Sequence, residues 1–326
     1  LEGAWSATTD APPVNISTII GSFQPRRVAL SEIAVEYLAL KQIDQAPPSV
    51  ALSTFISLAG DRDVSEYTRQ DAKLLVHHLE MKGNKTATIR RRINSLSAII
   101  NYAYSELDLD KRNPFNRLFI RNEGNDVFKR GTFTNEQLKR GYDKALSSCS
   151  KVKLLMPLLG ETGCRLAEIV GLRLEDIDLV NNLVHIRPNS ARRLKNKTSE
   201  RVVPLVGYAK LAIEQALTQA DDGWLFPQYI KVGHCYATHA SNAVNKWLKK
   251  DFDGLTAHCL RHTFRDRLRA VECPMDIIDQ IGGWRSASGI GINYGHGYSK
   301  VQVGRWLWLV SISFTSSDGT YTLDPL

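Results

Sequence analysis

The sequence GETGCRLAEIVGL, residues 160–172, combines a glycine turn with an arginine at the beginning of an apolar helix. With the preceding residues 151–159, KVKLLMPLL, it is typical of a helix, a turn and a second helix. Arg165 follows the turn, where the first backbone N–H groups of a helix lack intrahelical partners and attract anions. This stretch therefore predicts a helical domain with an anion-binding arginine at a helix junction.

A second stretch, HCLRHTFRDRLR at residues 258–269, concentrates histidines and arginines, and Asp266 is its only acid. Arg261 occupies a similar position between loop and helix, and His258 lies one helical turn earlier, on the same side. Two planar guanidiniums directed at one point can bind phosphate oxygens bidentately. The two stretches together indicate a phosphate-containing ligand.

Composition narrows the class of protein. The chain has 326 residues, a formal net charge of +8 and a hydrophobic fraction of 43%, which favours about two globular domains and a polyanionic partner. Five widely spaced cysteines without a C-x-x-C pattern indicate the reduced thiols of an intracellular protein.

Neither a membrane helix nor a signal peptide is expected from the sequence. No apolar run approaches the roughly 18 residues that a membrane helix needs, and the first residues, LEGAWSATTDAPP, do not resemble a signal peptide. Residue 1 is not methionine, which leaves open an additional N-terminal module.

Hydrophobic periodicity and capping residues predict four regions along the chain. Ser31, Thr68 and Thr134 are the predicted N-caps of helices, and Thr134 with Gln137 forms a capping-box pattern. The regions are an extended N-terminal segment at 1–24, a helical domain at 25–121, a linker at 122–133 and a second domain with a C-terminal tail at 134–326.

The second domain is predicted to mix helices with short strands. IDLVNNLVHIRP, residues 177–188, is typical of two strands around Asn181 and Asn182, and another strand ends at Pro204. The predicted fold class is mainly α with a small antiparallel β-sheet.

Four motifs in this order resemble those of a known family. T-G-x-R-x-x-E at 162–168, H-x-x-R at 258–261, GGW at 282–284 and a tyrosine soon afterwards closely resemble the tyrosine recombinases, in particular phage-type integrases. The helical first half resembles the core-binding domain of these integrases, and the likeness covers roughly residues 25–310. The resemblance implies an all-helical core-type DNA-binding domain followed by a mixed α/β catalytic domain.

The resemblance also implies a reaction. In this family a tyrosine attacks a DNA phosphate, forms a 3′-phosphotyrosyl bond and releases a 5′-hydroxyl, which splits strand exchange into two reversible steps. Arg165 and Arg261 would then clamp the non-bridging oxygens, and His258 would position and deprotonate the phenol. Glu168 would support the site by orienting Arg165 or a neighbouring loop.

Two of the implied roles have competing candidates. The family's lysine, which protonates the leaving 5′-oxygen, is Lys195 or Lys197, and the pattern L-K-x-x-x-S-x-R-x-V-P-L favours Lys195. The nucleophile is Tyr294 or Tyr298, and Tyr294 lies closer to the usual distance from Trp284.

Trp284 stands where many family members have a second histidine. Its indole N–H can donate one hydrogen bond to a phosphate oxygen, but it cannot transfer a proton.

Further basic residues are predicted to contact the DNA backbone, and they are Arg90, Arg91, Arg92, Lys197 and Arg265. The implied partners are double-stranded DNA, three more copies of the chain in a tetramer on paired sites, and a host DNA-bending accessory protein. The expected location is the cytoplasm of a bacterial host, in association with the nucleoid.

No cofactor or metal is expected. His234, Cys235, His239 and Cys259 have a spacing that fits no tetrahedral zinc signature, and the reaction needs no metal.

The predicted function is a site-specific recombinase or integrase of a phage or another mobile element. The alternatives are a nicking and closing enzyme like the type IB topoisomerases, and a DNA-binding relative without catalysis. The apolar run at 306–310, WLWLV, is expected either to fold back onto the core or to dock on a neighbouring protomer.

Overall fold

The computed structural model describes residues 27–41, 43–128, 131–194, 199–284 and 297–313. The chain divides into two compact units, Leu1–Phe128 and Lys129–Leu326, and the division falls within the stretch predicted as a linker. The boundaries predicted for the individual regions stay a prediction.

The described part of the first unit is mainly helical, and residues 107–128 follow its last helix as turns and irregular segments. Its helices are α1 (Leu30–Leu40), α2 (Ala46–Ala59), α3 (Arg69–Met81) and α4 (Thr86–Glu106). Buried side chains along α4, from Ile89 to Ala103, pack against the other helices around one apolar core. This burial is the main stabilising contribution for helices whose polar faces remain in water.

Two of the predicted N-caps behave differently in this unit. Thr68 caps α3, and its side chain forms a reciprocal capping box with Asp71. Ser31 was the wrong choice for α1, which begins one residue earlier without a side-chain cap. Instead, the Ser31 backbone N–H donates to the Asp61 carboxylate at 3.1 Å, so a distant acid supplies the acceptor.

The second unit surrounds a buried helix with further helices and two small sheets. Its helices are α5 (Asn135–Leu146), α6 (Leu155–Thr162), α7 (Leu166–Val170), α8 (Gly207–Leu217), α9 (Ala237–Asp251), α10 (Ala257–Ala270), α11 (Met275–Gly282) and α12 (Lys300–Val310). Thr134 caps α5 in a capping box with Gln137, as predicted. Every residue of α6 is buried, and this helix packs against α5, α8 and α10.

The larger sheet is antiparallel, with the order β1 (Ile177–Asp178), β2 (Leu183–Ile186) and β3 (Arg201–Pro204). Val184 pairs with Ile177 on one side and with Val203 on the other, so the predicted strands are confirmed. A second hairpin, β4 (Ile230–Lys231) with β5 (His234–Cys235), was not predicted. Its two-residue strands are too short to show alternation in the sequence.

Helix α12 packs against β3 and α10 of the same unit. Leu307 and Val310 are buried in the core, whereas Trp308 and Leu309 are exposed. One face of this helix therefore packs on the core, which corresponds to the predicted alternative in which the apolar run 306–310 folds back. The predicted fold class, mainly α with a small antiparallel sheet, is confirmed.

Candidate active site

Arg165 lies at the junction between α6 and α7, in extended backbone that directly precedes α7. Gly163 ends α6 with φ of 62°, a left-handed conformation that turns the chain toward Arg165. One terminal nitrogen of Arg165 donates to Glu168 at 2.6 Å and to the Ser199 hydroxyl at 3.0 Å. The other donates to the Gly283 carbonyl at 3.1 Å.

Arg261 lies in α10 and is almost completely buried. Its two terminal nitrogens donate to the carbonyl of Gly163 and, at 2.6 Å, to the carbonyl of Gly282. The guanidinium carbon also stacks 4.2 Å from the ring centre of Trp284. This is a favourable cation–π geometry for an arginine removed from water.

The two arginines therefore converge, because the carbonyls of Gly282 and Gly283 follow each other in the chain. We call Arg165, Arg261 and these two carbonyls the arginine cradle. Burial lowers the pKa of Arg261 to about 10, and the positive charge of Arg165 contributes to the same shift. Burial next to a second positive charge makes the charged form of Arg261 less favourable. An anion bound between the two guanidiniums would stabilise it.

Glu168 holds the position of Arg165. Its carboxylate is almost fully buried and accepts from the Arg165 backbone N–H at 2.8 Å and from the Arg165 side chain. Burial alone would raise the pKa of Glu168, but the charge of Arg201 and the hydrogen bonds from both arginines lower it below its ordinary value. Glu168 is therefore ionised in the folded protein at neutral pH, and its supporting role in the reaction stays a prediction.

Arg201 was not among the predicted site residues, although it belongs to this cluster. It begins β3, and its guanidinium donates to Glu168 at 2.9 Å and to the Ile281 carbonyl at 2.7 Å. The pattern L-K-x-x-x-S-x-R-x-V-P-L, which favours Lys195, also contains Arg201. This pattern is the sequence signal that could have indicated a role for Arg201. Its partners lie up to 80 residues away and could not be read from local spacing.

His258 lies in the first turn of α10, three residues before Arg261, and is exposed to solvent. Its ring meets the ring of His262 edge to face, with the centroids 4.9 Å apart. The helix thus carries His258 and Arg261 one turn apart, as the spacing predicted.

Trp284 and Arg265 are part of the same stacked arrangement. Arg265 lies 4.8 Å from the ring centre of Trp284 and donates to the buried carboxylate of Asp279 at 3.2 Å. This guanidinium is thus engaged within the protein, and a contact of Arg265 with DNA stays a prediction.

Arg90 is also engaged within its own unit. Its guanidinium binds both oxygens of Glu123, at 2.6 and 2.7 Å, and the Leu118 carbonyl at 2.8 Å. Arg91 is exposed and Arg92 is half-buried on the same helix. Arg91 and Arg92 are thus the better candidates for contacts with the DNA backbone, and the predicted contact of Arg90 would have to compete with Glu123.

Three predicted residues, Lys195, Lys197 and Tyr294, lie outside the described residues. The competing tyrosine, Tyr298, is described, and its hydroxyl donates to the carboxylate of Asp276. This hydrogen bond raises the pKa of the phenol, and Gln280 binds the Tyr298 backbone N–H and carbonyl at 2.8 and 2.9 Å. A tyrosine whose hydroxyl and backbone are both fixed by hydrogen bonds is poorly placed to attack a phosphate, which favours Tyr294.

His234 and His239 pack against the ring of Tyr236, and no described group of three or more histidines, cysteines or acids could hold a metal. Within the same residues, every helix is too short or too polar to cross a bilayer.

Comparison with known proteins identifies the family. The model of the phage integrase family matches residues 131–300, slightly more than half of the 326-residue chain. The chain belongs to the phage integrase family. The predicted resemblance to tyrosine recombinases is thereby confirmed, and the matched region contains the arginine cradle.

Relatives of this integrase-family chain include transposon transposases and tyrosine recombinases. It is 30% identical over 232 residues to the transposase from transposon Tn916 of Enterococcus faecalis, a match that covers 63% of this chain and 57% of that protein. It is 22% identical over 248 residues to the tyrosine recombinase XerD of Oceanobacillus iheyensis, covering 71% of this chain and 80% of that one. The chain thus spans little more than half the length of the Tn916 transposase.

Solved structures share the fold. The Tn1549 transposon integrase in complex with transposon right end DNA matches with a TM-score of 0.65 and 18% identity, over 85% of this chain and 98% of that one. A λ integrase tetramer bound to a Holliday junction matches with a TM-score of 0.62 and 15% identity, over 84% and 79% of the two chains. At these identities the likeness establishes the fold.

Proposed function

We propose that this chain is a site-specific recombinase of a transposon-like or phage-like element, which breaks and rejoins DNA through a 3′-phosphotyrosine bond. The observation that carries the proposal is the convergence of Arg165 and Arg261 on the adjacent carbonyls of Gly283 and Gly282. A buried guanidinium and a partly exposed one, held side by side in this way, are suited to the non-bridging oxygens of a phosphodiester. Membership of the integrase family supports the same chemistry.

In the proposed reaction the hydroxyl oxygen of Tyr294 attacks the phosphorus in line. A bond from phosphorus to the tyrosine oxygen forms, and the bond to the 5′-oxygen of the next nucleotide breaks. His258 takes up the proton of the phenol, and Lys195 supplies the proton that the leaving 5′-oxygen needs. Lys197 is the alternative to Lys195.

Arg165 and Arg261 stabilise the charge that develops on the phosphoryl oxygens, with Glu168 holding Arg165 in place. Trp284 stacks on Arg261 and restricts the direction of its guanidinium. The phosphotyrosyl bond conserves the energy of the broken bond, so that a second 5′-hydroxyl can reverse the attack without ATP.

The partners follow from this proposal. Solved relatives are bound to DNA, and one of them is a tetramer on a Holliday junction. We propose double-stranded DNA as the substrate, four protomers as the active assembly and the bacterial cytoplasm, at the nucleoid, as the location. The helical unit would be the DNA-binding domain, with Arg91 and Arg92 on the DNA backbone. An accessory DNA-bending protein stays a prediction.

The first step of the test is to express the protein in the presence of the genomic DNA that flanks its gene. The DNA junctions that form are then sequenced. A duplex with this junction sequence and a nick next to the scissile phosphate then traps the covalent intermediate. We expect the wild-type protein to form the adduct, and Tyr294→Phe to lose it while DNA binding is retained. An adduct that survives Tyr294→Phe contradicts the nucleophile, and binding without cleavage by the wild-type protein contradicts the enzyme.

A plasmid-relaxation assay addresses the alternative of a nicking and closing enzyme. Relaxation of supercoiled DNA that carries no paired sites would favour that alternative over recombination.

A further inference from the structure

Arg201 makes its contacts with three separate segments of the chain. The Nε atom donates to the Ile281 carbonyl at 2.7 Å, one terminal nitrogen to the Ser199 carbonyl at 2.7 Å, and the other to Glu168 at 2.9 Å. The second terminal nitrogen also lies 3.3 Å from the Cys164 sulfur. Each nitrogen of the fork is thus engaged, and only 4% of the side chain is exposed.

Each of these segments contacts a residue of the arginine cradle or lies next to one in the chain. Glu168 binds Arg165, and the Ile281 carbonyl immediately precedes the carbonyls of Gly282 and Gly283 that hold the two cradle arginines. Gly283 has φ of 60°, and a side chain there would lie 2.9 Å from an Arg201 nitrogen. Arg201 therefore fills the space behind the cradle and fixes both of its sides.

The charges lead to the same conclusion. Glu168 lies between Arg165 and Arg201, and burial and then the charges of Arg165 and Arg201 lower the pKa of Arg261. Three guanidiniums against one carboxylate leave two positive charges without a counter-ion among these four side chains. Such a cluster holds its geometry only if the carboxylate stays ionised, and Arg201 is the strongest single influence that keeps it so.

We propose that Arg201 is a positioning residue for the proposed strand cleavage, a role that rests on the proposed function. It contacts no DNA, because its side chain is buried, and it acts through Glu168 and the Ile281 carbonyl on Arg165 and Arg261. A planar, permanently charged guanidinium is required here, because the side chain must donate hydrogen bonds to three acceptors in different segments at the same time.

The same unit provides a matched control. Arg267 and Glu161 form a second buried ion pair, with 2.9 Å between their atoms and side-chain exposures of 10% and 1%. Its partner contacts are the Gly160 carbonyl and the Ile312 backbone N–H, and none of them is a cradle residue. We call Arg201–Glu168 the cradle pair and Arg267–Glu161 the anchor pair.

The experiment compares Arg201→Met, Arg201→Lys and Arg267→Met in the full chain. Single-turnover cleavage of the nicked duplex is measured at saturating protein, together with DNA affinity and the melting temperature. We expect Arg201→Met to cleave on the order of 10²-fold more slowly, because a small displacement of catalytic groups has that effect. DNA affinity should be unchanged, and Arg201→Lys should cleave at an intermediate rate.

Arg267→Met is expected to lower the melting temperature to a similar degree and to keep the wild-type cleavage rate. Equal rate losses in Arg201→Met and Arg267→Met would mean a general effect of destabilisation and would overturn the proposal. If Arg201→Met does not fold, Arg201→Lys and Glu168→Gln replace it, and wild-type rates in both would overturn the proposal.

A double-mutant cycle tests the route through Glu168. If Arg201 acts through this carboxylate, Arg201→Met combined with Glu168→Gln should cleave little more slowly than either single variant. Rate losses that multiply would instead assign the two residues independent roles and contradict the proposed route.

Inorganic phosphate provides a measurement that does not depend on recombination. Phosphate should raise the melting temperature of the wild-type protein and of Arg267→Met above that in chloride at equal ionic strength, and Arg201→Met should lose this shift. If the wild-type protein cleaves no DNA but shows this pattern, the proposed function fails and the positioning role stands. An equal shift in wild type and Arg201→Met overturns the positioning role alone, and no shift in wild type overturns the cradle itself.

Discussion

The cradle pair and the anchor pair are chemically alike but have different surroundings. Both join an arginine to a glutamate at 2.9 Å, and both carboxylates are almost completely buried. The carboxylate of Glu168 also binds a second guanidinium, that of the partly exposed Arg165, whereas Glu161 also binds the Ile312 backbone N–H. The presence of a buried ion pair does not by itself show what the pair contributes to the protein. The remaining contacts of the carboxylate distinguish a pair that serves a site from one that attaches a chain segment.

The strongest test of this comparison exchanges each glutamate for glutamine. Glu168→Gln should slow cleavage on the order of 10²-fold, because Arg165 loses the charge that fixes it. Glu161→Gln should leave cleavage unchanged, since its partners lie outside the cradle. The rates are measured by trapping on the nicked duplex. Comparable losses in the two variants would remove the distinction between the pairs.

Alanine substitutions at two glycines test whether cleavage depends on the packing behind the arginine cradle. Gly283 and Gly254 have φ of 60° and 73°, but only Gly283 has neighbours within reach of an added methyl group. Alanine at either position should lower the free energy of unfolding by about 1–2 kcal/mol, the usual cost of left-handed backbone.

Only Gly283→Ala should also slow cleavage, by roughly 10-fold, because it displaces Arg201 and the Gly283 carbonyl. Urea unfolding and single-turnover cleavage of both variants provide the measurement. A wild-type cleavage rate in Gly283→Ala would show that the cradle tolerates this displacement.

Hydrogen exchange tests the anchor pair. In Glu161→Gln the Ile312 N–H loses its charged acceptor and should exchange roughly 10-fold faster, as expected for a hydrogen bond to a charged group. In Glu168→Gln the same amide should exchange at the wild-type rate. Mass spectrometry of the peptide that contains residue 312 gives the result, and equal exchange in all three proteins would refute the anchor.

The smallest expected effect concerns pH. Because the folded-state pKa of Glu168 lies below its ordinary value of 4.5, its contribution to stability is present above that pH and is lost as the pH falls through the folded-state pKa. Between pH 7 and pH 3, the wild-type protein should therefore lose more free energy of unfolding than Glu168→Gln. Urea unfolding at several pH values checks this, and parallel curves would show that Glu168 is not stabilised as an anion.

The sequence predicted features whose determinants are local. Thr68 and Thr134 cap their helices through residues three positions later, and such spacing can be read directly. Arg165 and Arg261 were recognised because their motifs place each arginine next to a helix start or turn. Their convergence was inferred from chemistry, since 96 positions separate them in the chain.

The features that were missed depend on distant partners. The ion pair of Arg90 could not be predicted, because Glu123 lies 33 residues later and gives no local sign that it binds this guanidinium. Arg201 was overlooked because Ile281 and Glu168 reach it only after β3, α7 and α11 have packed together. Local patterns report which face of a helix is apolar, and they contain no information about which charge meets which across the fold.

The anchor pair has one further consequence. Glu161 recognises a main-chain N–H at position 312, a group that every residue type except proline provides. The hydrogen bond to α6 therefore does not depend on the side chain at this position, although burial of Ile312 in the core still favours an apolar residue there. The main-chain contact and the packing of the side chain thus hold residue 312 through two separate interactions.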